Sequence, residues 1–441
     1  MRAFLERLAA RRLFGIRPGL ETMQQLCAAL GHPEEECAII HIAGTNGKGS
    51  VAAICEAALR TMGLPVGRYT SPHLIRVNER FMVHGEPVSD EALERALDEV
   101  ERVCAEKDLE PTFFEVLTAC AWVIFREAGC KIVVCETGMG GRWDATNVIA
   151  TPLVSVITRV ALDHCAILGD TIEAIAAEKA GIIKEGCPVV IGQMDSRARA
   201  VIEAVAQEKH TQIRDAAEEV RVTVSRRTVH GQTLQCSTPS CDYPAALTRL
   251  AGSYQTINAA TALTTLEVLA ERGIIVPPKA FTEALRTVDW PARCQLLSSD
   301  PPTFLDGGHN PDGLKALRES LKSMHIRKRV ALVCGFCKDK AVTDALKEIA
   351  PLVSCAWTVP VATERTMTPE ETALAAQTAG IRPVIPMQSV AEALEAATNW
   401  AQDCQGTVLI CGSLYLAGEV LALRDEAGDA TLDPGELPRG H

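Results

Sequence analysis

The apolar positions of this chain recur in two rhythms. From about residue 38, short runs of β-branched and small apolar residues alternate with segments whose apolar positions fall three and four apart. That alternation predicts a parallel α/β sheet. The run "CAIIHIAG" predicts a buried strand that opens into a loop. After it, Val51, Ile54, Cys55, Ala58, Leu59 and Met62 stand at helical spacing, and Gly63 with Pro65 ends the pattern. "FFEVLTACAWVIFREAG" predicts a second helix, and "CKIVVCETG", "PLVSVITRV" and "CPVVIGQ" predict further strands. Residues 210–248 are polar and β-prone and read as a small antiparallel insert, after which "YQTINAATALTTLEVLAERG" returns to helix.

One predicted helix, "GDTIEAIAAEKAGIIK", contains an anomaly. Asp170 and Glu173 read as its N-terminal capping pair. At about 100° per residue, Ile172, Ile175, Ala176, Ile182 and Ile183 form one apolar stripe. Lys179 falls inside that stripe, while Glu173, Glu178 and Lys184 lie outside it. A lysine on a buried face costs desolvation unless something compensates. It either snorkels at the helix end or turns toward a bound anion or metal.

"VDWPARCQLL" marks a junction, and a second α/β series follows it: "PTFLDGGHNPDG", "RVALVCGF", "SCAWTVPV" and "TVLICGSLYLAGEVL". The domains expected are residues 1–290, residues 291–424, and a tail over 425–441. That tail, acidic and rich in Gly and Pro, is expected to be disordered.

Composition narrows the class. A chain of 441 residues is too long for one ordinary core. A net charge of -12 argues against non-specific nucleic-acid binding, which needs a basic stripe. No apolar run approaches bilayer length, and the charged start "MRAFLERLAARRLFG" lacks the apolar core of a secretory signal. The 17 cysteines are scattered through apolar runs, where cysteine behaves as a small hydrophobe. Cys334 and Cys337 have redox spacing, but no second pair accompanies them, so core packing is the reading. The expected address is the reducing cytoplasm.

The candidate chemistry begins at "GTNGKGS", Gly44 to Ser50, between a strand and a helix. Gly44, Gly47 and Gly49 let the backbone approach an anion, Lys48 can neutralise phosphate charge, and the Ser50 hydroxyl can orient phosphate or a metal-bound water. Gly49 separates the lysine from the serine, which breaks the usual phosphate-loop pattern of kinases and GTPases. Glu136 ends a strand, where ligands collect in parallel sheets; alone it could equally cap a helix or pair with Arg142. His164 also follows a strand, beside Asp163. In the second half, Asp306 can accept from a ribose hydroxyl, His309 can contact phosphate or substrate, and Arg293 can reach phosphate oxygens.

Taken together, "GTNGKGS", "TSPHLIRVNERF", "TFFEVLTA", "ETGMGGRWDATNV", "LDHCAILGDTIEAIAAEKAGIIK", "YQTINAATA", "WPARCQ", "LDGGHNPDG" and "CGSLYLAGEV" stand in the order seen in the folylpolyglutamate synthase and dihydrofolate synthase family of the Mur-ligase superfamily. The resemblance covers residues 20–422. It implies a parallel-sheet ATPase domain of Mur-ligase type, a smaller Rossmann-like C-terminal α/β domain, and a catalytic cleft between them. By that resemblance Gly44, Thr45, Asn46, Gly47, Lys48, Gly49 and Ser50 hold ATP phosphates, with Asn258, Arg293 and Asp306 as further nucleotide contacts. Ser71, Glu136 and His164 match the ligands of Mg²⁺, two ions being expected. Lys179 matches a lysine that becomes carbamylated (N6-carboxylysine), which would explain a lysine in an apolar stripe. Phe114, Trp143, Asp144 and Ala145 match the folate side, and Ser413 and Tyr415 lie near the incoming glutamate.

The activity implied is ATP-dependent addition of L-glutamate to dihydropteroate or folate through an acyl phosphate, releasing ADP and phosphate. Lys48, Lys179 and His309 are the residues expected to act in it, in a monomer with no nucleic-acid or membrane partner. Tyr254 stands where the family often has His, Val116 where Phe is common, and Trp143 where Leu is usual. The last puts the preference among pteroate substrates in question, and the ATP chemistry is untouched by it. Two other readings are a Mur-type ligase for a non-folate carboxylate and a catalytically dead nucleotide-binding protein. Gly49 and the folate-side motifs argue against the first. Retention of Lys48, Glu136, His164 and Lys179 argues against the second.

Overall fold

The computed structural model describes Arg7, residues 19–326 and residues 329–426. These fall into two compact units. The first holds the described residues up to His73, Val77–Pro291 and Glu319–His325; the second holds Leu74–Arg76, Ala292–Arg318 and the described residues from Ile326 onward.

The first unit is built on an eight-stranded sheet: β1 (Ala38–Ala43), β2 (Val66–Tyr69), β3 (Phe81–Val83), β4 (Glu86–Pro87), β5 (Ile132–Glu136), β6 (Val154–Ile157), β7 (Val189–Ile191) and β8 (Ile213–Asp215). The order is β4-β3-β2-β5-β1-β6-β7-β8. All neighbours from β2 to β8 pair parallel, and β3 and β4 add an antiparallel edge. The strand period of two explains why the central runs are apolar throughout. Ile40, Ile42, Ile132 and Val134 point into a core on one face, whereas Ile39, Val133 and Cys135 point into a core on the other.

Helix Phe113–Glu127 covers the second face. Thr112 caps it by accepting from Glu115 N at 3.3 Å, while Glu115 Oε2 accepts from Thr112 N at 2.7 Å, a reciprocal capping box. On the first face lies helix Lys48–Thr61. Its apolar spacing predicts one buried stripe, but Gly49 through Leu59 are all buried. Helices Gln255–Glu271 and Pro278–Thr287 pack against it as well as the sheet, and its alanines let them approach.

Two expectations about elements need correction. Helix Ile172–Ala180 is capped by Thr171, whose hydroxyl accepts from Ala174 N at 3.1 Å, so Asp170 is not the cap. That helix stops at Ala180, which puts Ile182 and Ile183 beyond it although both are buried. The antiparallel insert also begins later than residue 210, because Ile213–Asp215 joins the main sheet as β8. The insert itself is β9 (Arg221–Thr228), β10 (Gly231–Ser237) and β11 (Ala246–Thr248), in the order β11-β10-β9.

The second unit carries a six-stranded sheet of β12 (Gln295–Ser299), β13 (Pro302–Leu305), β14 (Val330–Cys334), β15 (Val353–Thr358), β16 (Val384–Pro386) and β17 (Thr407–Cys411). Its order is β12-β13-β17-β14-β15-β16, parallel except for the β12 edge. Helix Leu414–Glu426 closes the described chain and takes in the first two residues of the expected tail. The rest of that tail, residues 427–441, and all of the charged opening segment except Arg7 lie outside the described residues. No helix among the described residues is long and apolar enough to cross a membrane.

Phe125 tests this packing. It is fully buried, meets Trp122 edge-on at 6.5 Å, and lies where a β-carbon on Gly67 would be 2.6 Å from its ring. Phe125→Ala should cost about 3–5 kcal/mol of the first unit's stability, read by chemical denaturation. A loss below about 1 kcal/mol would contradict the packing described.

Candidate active site

Strand β1 lies between β5 and β6: from β1 the chain goes to β2 on one side of it, and β6, β7 and β8 are added on the other. In open parallel sheets that crevice, outside the carboxyl ends of the strands, is where ligands bind. Several candidate residues of the first unit follow strands of this sheet. Gly44–Ser50 follows β1, Glu136 is the last residue of β5, Ser71 follows β2, and His164 follows β6.

The loop Gly44–Ser50 is held by backbone partners and by a hydroxyl on each side. Thr45 N donates to Arg159 O at 2.6 Å, and Thr45 Oγ1 donates to Ala161 O at 3.0 Å. Thr158 Oγ1 donates to Asn46 O at 2.8 Å. Gly47 is the residue before helix Lys48–Thr61 and has φ 95°, where a side chain is strained; a β-carbon there would also meet Asn258 Oδ1 at 2.5 Å. With glycine in the capping position, no side chain covers the first N–H groups of the helix, the arrangement that receives anions. Ser50 is buried and accepts from Gln255 Nε2 at 3.2 Å, and Gln255 in turn accepts from Asn258 Nδ2 at 2.8 Å.

The charges at the loop are unusual. Lys48 Nζ donates to Gly44 O at 3.1 Å and lies 3.6 Å from Glu136 Oε1. Lys179 Nζ donates to the same Gly44 oxygen at 2.9 Å, and Lys179 is 3% exposed. Lys179 therefore does not snorkel to solvent; it points into the loop. Burial first, and then the charge of Lys48, pushes its pKa down from 10.5 to about 7, against the pull of Asp163 and Asp144. Two amines on one carbonyl oxygen, beside a 5%-exposed carboxylate, form a site whose charge balance changes with what binds. Ser71, Glu136 and His164 offer a hydroxyl, a carboxylate and an imidazole, donor types that a divalent cation accepts.

The glycine-rich loop after β5 places Lys179. Arg142 N donates to Glu178 O at 2.8 Å, and a β-carbon on Gly141 would lie 2.8 Å from Lys179 O, so the loop lies directly on that helix backbone. Asp144 is buried and organises the loop, accepting from Met139 N at 2.8 Å, Thr146 N at 3.1 Å and Thr146 Oγ1 at 2.6 Å. Burial raises its pKa, opposed by these bonds. Because Thr146 donates to Asp144, it accepts from His41 Nε2 at 2.8 Å. Burial holds His41 neutral, with its pKa pushed down to about 3. Phe114 lies against Gly138 at the start of this loop, Ala145 is buried, and Trp143 is 50% exposed.

In the second unit, Asp306 ends the β13 segment and is 3% exposed. Its two oxygens accept from Cys294 N at 2.8 Å and Gly308 N at 2.7 Å. Ala292 and Cys294 have φ 57° and 50°, so Asp306 pins a strained turn around Arg293. His309 Nδ1 donates to Gly307 O at 2.9 Å, which leaves Nε2 as the acceptor nitrogen. Ser413 Oγ accepts from Tyr415 N at 3.0 Å, and Tyr415 Oη accepts from Arg365 Nη2 at 3.4 Å.

Sequence reasoning missed Thr158, Gln255 and Trp290 as supports of the loop. Thr158 was visible only as the polar residue ending a strand run, and Gln255 only as a member of the "YQTINAATA" motif. Trp290 reads from sequence as a junction residue, yet it packs against Gly49.

Comparison with known proteins gives two family matches: the Mur ligase middle domain over residues 42–266 and the Mur ligase glutamate ligase domain over residues 292–414. A dihydrofolate synthase/folylpolyglutamate synthase of Bacillus subtilis is 39% identical over 346 residues, covering 77% of this chain and 80% of that protein. E. coli FolC in complex with DHPP and ADP superposes with a TM-score of 0.86 at 30% identity, over 97% of this chain and 98% of that one. A bifunctional folylpolyglutamate synthase/dihydrofolate synthase of Yersinia pestis, complexed with AMPPNP and a Mn ion, superposes with a TM-score of 0.84 at 28% identity, over 96% and 98%.

The lowered pKa of Lys179 has a measurable sign. A lysine at about 7 in the folded chain against 10.5 imposes a destabilisation that is full below about pH 7 and fades as pH rises toward 10.5. The thermal midpoint of the unliganded wild type, minus that of Lys179→Met, should therefore rise between those pH values. A flat or falling difference would contradict the buried, cationic reading of Lys179.

Proposed function

The chain belongs to the Mur ligases, in their folylpolyglutamate synthase and dihydrofolate synthase branch, and from that premise we propose that it joins L-glutamate to dihydropteroate or to the glutamate chain of a folate at the expense of ATP. The observation that carries the proposal is the Gly44–Ser50 loop. It sits at the carboxyl edge of β1 with Lys48 and Lys179 converging on Gly44 O beside Glu136.

Amide formation sets the order of events. A carboxylate is a poor electrophile, so one of its oxygens first attacks the ATP γ-phosphorus. The bond to ADP breaks, and an acyl phosphate forms. The loop N–H groups and Lys48 hold the phosphates in line and stabilise the charge that moves onto ADP. The glutamate amine then attacks the acyl carbon, loses a proton, and expels phosphate from a tetrahedral intermediate. His309, with Nε2 as its acceptor nitrogen, suits the proton transfer. Asp306, its oxygens engaged by Cys294 N and Gly308 N, suits a positioning role for Arg293. Excluding water protects the acyl phosphate from hydrolysis.

Lys179 has its own part. At a pKa of about 7 much of its amine is neutral and nucleophilic, so Nζ can add to CO2, with loss of a proton, to give a carbamate. That change turns a buried cation into an anion. Two Mg²⁺ ions held among Ser71, Glu136, His164 and the carbamate would supply charge neutralisation at the β- and γ-phosphates. Phe114, Ala145 and the half-exposed Trp143 fit the pterin side of the acceptor. Ser413 and Tyr415 fit the glutamate side. The 17 cysteines form no disulfide among the described residues, which fits a reducing compartment.

The direct test is glutamate-dependent ADP release with dihydropteroate and tetrahydrofolate offered separately. Turnover with at least one is expected, and no turnover with either, by protein that binds ATP, would sink the assignment. A second expected outcome is that Lys179→Ala loses most activity, roughly a hundredfold or more, and regains part of it with a short-chain carboxylic acid. Full activity in that variant would refute the carbamate.

A further inference from the structure

Gly49, the residue that breaks the ordinary phosphate-loop pattern, is accounted for by an aromatic contact. A β-carbon there would lie 2.2 Å from Cζ2 of Trp290, 2.8 Å from Cε2 and 3.1 Å from Nε1. The edge of the indole therefore occupies the space a side chain would need, in the first turn of the helix that carries Lys48. Trp290 is itself held. Arg68, on β2, places its guanidinium carbon 5.0 Å from the indole centroid, within cation–π range. Arg68 is 7% exposed; Nη1 lies 3.5 Å from Glu56 Oε2, and Nε has no hydrogen-bond partner. Glu56, from the same helix as Gly49, also accepts from Arg60 Nε at 2.9 Å. Glu56, Arg68 and Trp290 thus form a chain that leaves the phosphate-loop helix about two turns on and returns to it at Gly49.

We propose that Trp290 is a positioning residue for the phosphate loop: its indole, held by Arg68, is the stop against which the first turn of helix Lys48–Thr61 rests, and it sets where Lys48 and the loop N–H groups stand. Trp290 touches none of the reacting atoms and acts through Gly49. The proposal rests on reading Gly44–Ser50 as a phosphate cradle. It predicts that the absence of a side chain at position 49 is required by Trp290 and not by the phosphate. Size at position 49 and size at position 290 should then trade against each other.

A double-mutant cycle tests this. Gly49→Ala should raise the KM for ATP about tenfold, with the KM for glutamate unchanged. Trp290→Phe removes the outer ring edge and should alter the ATP KM by less than about threefold on its own. The combined Gly49→Ala/Trp290→Phe protein should return to within about threefold of Trp290→Phe alone. Independent, multiplying effects in the double variant would overturn the proposal. Should Gly49→Ala fail to fold, Arg68→Met carries the test. It frees the indole without crowding the helix, and the proposal requires a raised ATP KM with the glutamate KM unchanged, so an unchanged ATP KM in that variant overturns it. Each comparison can also be read as the dissociation constant for ATP. Failure of the wild type to turn over any folate would then count against the ligase reading, while the cycle still decides the role of Trp290.

Discussion

Two lysine amines, Lys48 and Lys179, donate to one carbonyl oxygen, that of Gly44, at 3.1 and 2.9 Å. Like charges brought together in a buried place repel each other, and desolvation adds to the cost. Glu136, 3.6 Å from Lys48, offsets part of it. The remaining positive character joins the exposed N–H groups at the start of helix Lys48–Thr61 and points outward from the carboxyl edge of the sheet. A chain of net charge -12 thus brings two lysine amines to one loop. On the proposed reading, Lys48 and these N–H groups receive the phosphates, which lowers the reorganisation needed when a phosphoryl group passes through the site.

Holding the two amines in place takes most of the first unit. β1 carries the Gly44 oxygen, and its neighbours β5 and β6 fix β1 through registers that pair Ile42 with Glu136 and Ala43 with Ile157. Thr45 and Thr158 tie the loop to the segment after β6. The glycine-rich loop after β5 lies on the backbone of the Lys179 helix. Buried Asp144 sets that loop's path, with Thr146 and His41 beneath it. Thr158, Asp144 and Thr146 are polar groups that sit in the interior because nearby backbone groups or hydroxyls satisfy them. The same loop carries Trp143, so a residue expected at the acceptor sits on the segment that lies against the helix of the lysine expected at the phosphates.

Much of this was legible in the sequence, for physical reasons. Parallel strands buried on both faces leave continuous apolar runs, and "CAIIHIAG" and "KIVVCE" are such runs. The phosphate loop declares itself through glycine and lysine at a strand-to-helix turn. The odd placement of Lys179 was visible because a charged residue in an apolar stripe conflicts with the helical period. Other features depend on contacts between distant segments. From sequence Asp170 reads as the cap, and only backbone geometry chooses Thr171. Asp144 and Asp306 read as ligand-facing acids, yet each turns its oxygens to nearby N–H groups, as short acids in tight turns often do. Nothing local to "GKGS" reveals Trp290, which reaches Gly49 from the far end of the first unit.

The account's central claim is that this loop activates a carboxylate by moving phosphate onto one of its oxygens. Isotope transfer tests it most directly. With the acceptor carboxylate labelled with ¹⁸O, a single-turnover reaction with ATP and glutamate should deliver one labelled oxygen into the released phosphate, read by mass spectrometry. Amide product formed with unlabelled phosphate would contradict the claim.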